Sequence, residues 1–115
     1  MKYDIRAEVT NLRESMSAFG NKYRPMFKIS NRQNYLTTGE ITFSDPNFML
    51  EYNNMEEAYV SFISPEVYPH TLWVGKNLYF YEGNRLTGKA VVLEIYNKIL
   101  ETTENNEELI NIKLL

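Results

Sequence analysis

LYFYEGNRLTGKAVVLEIY, residues 78–96, is two apolar runs joined by a turn. Leu78 to Tyr81 is apolar at every position, Glu82-Gly83-Asn84 supplies turn residues, and Lys89 to Tyr96 is mostly apolar again. Glycine accepts the positive φ that a tight turn demands, so this layout predicts a β-hairpin. In the second run Val91, Leu93 and Ile95 fall on one side, and Ala90, Val92 and Glu94 on the other. The first run has no polar face at all, as expected of a strand covered on both sides.

The same period of two recurs along the chain. In residues 3–12, Tyr3, Ile5, Ala7 and Val9 share one face, while Asp4, Arg6, Glu8 and Thr10 share the other. Glu40 to Phe43 alternates likewise, Ala58 to Ser64 is apolar on both faces, and Met26 to Ile29 adds a sixth candidate strand. Turn chemistry separates them at Gly20-Asn21, Ser44 to Asn47 and Asn53-Asn54. Six short strands without an internal repeat predict an all-β fold, a small closed or sandwiched antiparallel sheet. Residues 96–103 suit a short helix or a turn, 104–108 an acidic loop, and 109–115 (LINIKLL) a last strand.

Composition narrows the function classes. A chain of 115 residues is one domain with room for a real core. With no cysteine there is no disulfide, no thiolate nucleophile and no Cys-based metal site, which suits the cytoplasm. A net charge of −3 argues against broad nucleic-acid affinity, although a local basic stripe is compatible with it. No apolar run approaches the roughly 20 residues of a membrane span. The start has no continuous apolar stretch of the signal-peptide kind, so the expectation is a soluble cytoplasmic protein without a membrane partner.

Catalytic patterns are sparse. Residues 83–90 fit GxxxxGK, but Ala90 stands where the Mg²⁺-binding Ser or Thr belongs. A phosphate loop also needs a following helix, and VVLEIY reads as a strand. Asn97-Lys98-Ile99-Leu100 lacks the Asp of a guanine-reading NKxD motif. The single histidine, His70, has no second imidazole or thiol to build a metal site with, and reads as a surface-loop residue beside Trp73. Ser61 and Ser64 lack a nucleophile elbow, and Glu40, Glu82 and Glu94 are scattered singly along strands. The expectation is no enzyme activity, with no catalytic residue, metal or cofactor.

Four stretches in order resemble the C-terminal (third) β-barrel domain of translation elongation factor Tu. They are Ala7-Glu8-Val9 leading to Leu12-Arg13, the segment Gly20 to Phe27 (GNKYRPMF), Thr38-Gly39-Glu40-Ile41, and Phe80 to Val92 (FYEGNRLTGKAVV). The resemblance spans roughly residues 3–96 and implies a stand-alone copy of that domain with no GTPase attached. It implies a six-stranded antiparallel β-barrel over residues 1–97, with residues 98–115 as a C-terminal extension. It further implies a non-enzymatic binding protein that engages proteins linked to translation, in a mimic, regulatory or immunity role, with Tyr23 and Arg24 as the partner-binding patch. The alternative it implies is a tRNA- or RNA-binding accessory factor, with Thr38, Glu82 and Gly83 at the family's RNA-contact positions. Three departures weaken that alternative: Met26 replaces an amide donor, Ser64 a basic or imidazole residue, and residues 14–18 lack the family's Arg-His pair. The extension is also expected to cover the barrel or to pair with a second copy as a homo-oligomer.

Overall fold

In β1 (Ile5–Asn11) every second residue is buried, the outcome expected when one face of a strand meets a core. The computed structural model describes residues 2–14, 18–29 and 36–102. Five further strands follow: β2 (Met26–Lys28), β3 (Thr37–Thr42), β4 (Met55–Phe62), β5 (Asn77–Glu82) and β6 (Arg85–Ile95). Every pairing is antiparallel, and the order β1-β4-β3-β2-β5-β6 closes when β6 returns to β1. The fold is therefore an all-β, six-stranded closed antiparallel barrel. Closure pairs every strand on both sides and leaves no open sheet edge. Among the described residues no helix is long and apolar enough to cross a membrane.

Inward side chains fill the barrel. Phe27 and Phe80 lie 5.2 Å apart at its centre, and Phe62 meets Phe27 edge-on at 5.4 Å. Two glycines make room for them. A Cβ at Gly39 would stand 2.6 Å from the Phe27 ring, and one at Gly88 1.9 Å from the Phe80 ring.

Two expectations change. β4 and β5 are not covered on both faces: Tyr59 and Ser61 are half-buried and Tyr79 is 41% exposed. A barrel of one layer has only its inside to bury, and its wall tolerates tyrosines whose rings shield neighbouring strands. In β6 the two predicted faces also exchange partway along. Ala90 and Val92 point inward, but a register shift opposite Arg6/Ala7 brings Ile95 into the core and leaves Glu94 outside.

Polar side chains lock both ends. Asn11, fully buried, donates from Nδ2 to the Leu50 carbonyl at 2.8 Å and accepts the Arg13 N–H at 2.8 Å. At the other end Asp4 accepts from Phe62 N (2.7 Å) and Asn97 Nδ2 (2.9 Å), tying the start of β1 to the ends of β4 and β6. The predicted turn after residue 96 is a 3-10 turn, Lys98–Leu100, whose Leu100 is buried. Glu101 forms an isolated parallel bridge with Leu72. The start of the predicted extension thus packs as part of the barrel. The strand expected at 109–115, and the homo-oligomer expected through it, lie outside the described residues.

Candidate functional site

Tyr23 and Arg24 are neighbours in an extended segment, so their side chains leave it on opposite sides. The structure separates the patch that the sequence suggested. Tyr23 turns into the barrel end, stacked on Phe19 at 4.2 Å and edge-on to Phe80 at 6.1 Å. Its hydroxyl donates to the Glu82 carboxylate and lies 2.9 Å from Thr87 Oγ1. With that proton given to Glu82, the threonine hydroxyl is the donor to the phenol oxygen. The Arg13 guanidinium sits 5.4 Å from the centre of the Tyr23 ring and 3.2 Å from Glu82. Arg13 Nε is buried without an aligned hydrogen-bond acceptor, so the 3.2 Å contact acts as charge proximity more than as a directed bond. Burial, and then the adjacent Glu82 carboxylate, push the Tyr23 phenol well above the ordinary tyrosine range.

Arg24 points outward. Its Nε and Nη2 both reach Glu40 Oε2 at 2.8 Å, across the boundary between the β2 segment and β3. The pair forms one wall of an open groove of about 350 Å³ lined also by Thr38, Ser61, Phe62 and Ile63. The pairing Glu40↔Ser61 sets the groove's width, and Ile63, just past β4, is 75% exposed at its rim.

The remaining candidates distribute themselves between these two places. Thr38 belongs to the groove, its Oγ1 donating to Met26 Sδ at 3.2 Å. Glu82 belongs to the Tyr23 cluster, so its carboxylate is already engaged. Gly83 occupies the β5–β6 turn at φ 61°, with open space where a Cβ would be. Glu40, Ser61, Ile63 and Arg13 complete the two sites, a role that no sequence pattern assigns them. Nothing in the linear order places Arg24 beside Glu40 or Arg13 beside Glu82, because strand register alone brings them together.

Elsewhere the chemistry is structural. Residues 83–90 form the β5–β6 turn and the start of a continuous strand, so no helix N-terminus follows Gly88. His70 is exposed in a turn at φ 59°, and its Nδ1 lies 3.0 Å from the Glu101 carbonyl, which assigns the ring proton to that nitrogen. Trp73 is buried and carries the Lys76 ammonium 4.6 Å from its ring centre. Among the described residues no group of three or more His, Asp or Glu side chains converges as a metal site would require. The chain matches no protein-family model and no curated protein.

Proposed function

We propose that this protein is a non-enzymatic binding module whose groove at Arg24, Glu40 and Ile63 receives a protein partner linked to translation. The observation that carries this reading is Ile63, an isoleucine 75% exposed beside a charged pair and a groove large enough for one anchoring side chain. An apolar centre with a polar rim is the anatomy of a protein interface. The Arg24–Glu40 pair is open to solvent and contributes only about 0–1 kcal/mol to stability, so its two groups can exchange partners at little cost. The barrel's closure and strand number support the resemblance to the third domain of elongation factor Tu, and that resemblance supplies the link to translation. A module of this kind acts as a mimic, occupying proteins that otherwise dock on the factor.

Affinity capture from lysate tests this with three baits: the wild type, Ile63→Asp and Arg24→Ala. The wild type should recover a translation-associated protein that the isolated third domain of elongation factor Tu displaces. Ile63→Asp should lose it while keeping the thermal midpoint of the wild type. Equal recovery by Ile63→Asp, or no displacement by the isolated domain, would refute the reading.

A further inference from the structure

We propose that the outer wall formed by β2, β5 and β6 is a second binding surface, for single-stranded nucleic acid, built on Lys28, Tyr79 and Lys89. The pairings Lys28↔Tyr79 and Tyr79↔Lys89 set these three residues in one row across adjacent strands. They face outward because Phe27, Leu78, Phe80 and Ala90 of the same strands fill the core. The two lysines are separated by two strand spacings, about 9.6 Å.

Among the described residues the side chains of this row are uncommitted, and the strand pairings set them beside one another. Arg6, Arg13, Arg24 and Lys98 each meet a carboxylate. Lys76 bonds the carbonyls of Ile29 and Thr71. Among the described residues the ammonium groups of Lys28 and Lys89 make no ion pair or hydrogen bond. The nearest acidic position in the pairing pattern is Glu8, diagonal to Lys89 across Thr10, while Glu82 is turned to Tyr23 and Arg13. The Tyr79 ring, 41% exposed, has neither an aromatic nor a cationic partner among the described residues, whereas Tyr3, Tyr23 and Tyr59 are all stacked or tilted against other rings. Tyr81 stands two residues along the same face, about 6.8 Å away, half-buried and likewise free of ring contacts.

Within a protein of net charge −3, two ammonium groups with no partner among the described residues therefore stand on either side of an open aromatic face. An acidic peptide or an anionic lipid would satisfy the lysines and leave the ring unused. A single strand uses all three: phosphates at the lysines and an unstacked base on Tyr79. Binding of this kind tolerates most sequences, because every base has a stacking face. The surface shares no residue with the Arg24 groove, so each can fail without the other.

Fluorescence anisotropy with a labelled oligouridine of about 12 nucleotides tests the proposal across a salt series. The wild type should bind at low salt. The double variant Lys28→Gln/Lys89→Gln should lower the slope of log affinity against log salt by about 1.4, the share of two phosphate contacts on a single strand. Tyr79→Leu should weaken binding about tenfold, and Tyr79→Trp should restore it. Ile63→Asp should bind as the wild type does. No binding at low salt would overturn the proposal, as would an affinity indifferent to Tyr79→Leu. Polyglutamate or phosphatidylserine vesicles binding as tightly as the oligonucleotide, with no response to Tyr79 variants, would assign the row to a plain anion surface and overturn it too.

Discussion

The Tyr23 phenol gives its proton to Glu82 under the cover of Phe19, and both the burial and the carboxylate oppose its ionisation. In the unfolded chain a tyrosine ionises near pH 10. The folded value is raised, so the folded state keeps a proton that the unfolded state loses. The stabilisation is complete below about pH 10 and is lost as pH climbs toward the folded value, by up to about 1.4 kcal/mol per pH unit for this one proton. Urea titrations at several pH values check this. Tyr23→Phe should be less stable at neutral pH by about 1 kcal/mol, through the lost hydroxyl bonds, and its stability should fall less steeply above pH 10. An unchanged alkaline slope would show that the Tyr23 proton is not held by the fold. Arg24, one residue away, has the opposite fate: an outward charge with a solvent-exposed partner.

β6 shows how a whole strand depends on single positions. Thr87 and Gly88 are both buried, next to a register shift between Phe80 and Tyr81, so the strand changes its facing there. Gly88 carries the tightest approach, since a Cβ would meet the Phe80 ring at 1.9 Å and the Thr10 carbonyl at 2.7 Å. Gly88→Ala should destabilise the protein by about 3 kcal/mol, the upper part of the overpacking range, because a backbone oxygen cannot move aside as a side chain can. Gly83→Ala meets no neighbour and costs only the left-handed φ of 61°, about 1 kcal/mol. Thermal melts of the two variants should keep that order, and a Gly88→Ala protein as stable as Gly83→Ala would contradict the packing described for Phe80.

The barrel as a whole is closed unevenly. β1 pairs with β6 over its full length and with β4 over six positions, whereas β2, three residues long, meets β3 through only two pairs. Backbone bonds of Lys22, Gly39 and Ile41 continue the seam ahead of β2, but β2 itself is the shortest strand, and local opening starts where least structure must be disrupted. Native-state hydrogen exchange should therefore find the Met26 and Phe27 amides exchanging at lower protection than those of Ala7 and Val9. Equal protection along β1 and β2 would mean that the barrel opens only as a unit. Both proposed binding surfaces border this seam, with Arg24 and Lys28 at its two ends.

Residues 3–10 and 78–96 determined the strands, because a period of two and the Glu-Gly-Asn turn are local properties of the chain. The GxxxxGK pattern was legible as a hairpin for the same reason: an apolar β-branched run follows it. Three matters were settled only in three dimensions. The bulges of β6, which exchange its inner and outer faces, depend on which residues of β1 and β5 lie opposite. The Arg24–Glu40 groove and the Tyr23–Glu82–Arg13 cluster depend on register between strands distant in sequence. The Lys28–Tyr79–Lys89 row joins residues from β2, β5 and β6, and no linear pattern marks it. Alternation tells a strand that it has two faces, but only closure of the barrel decides which face is inside and which residues become neighbours across it.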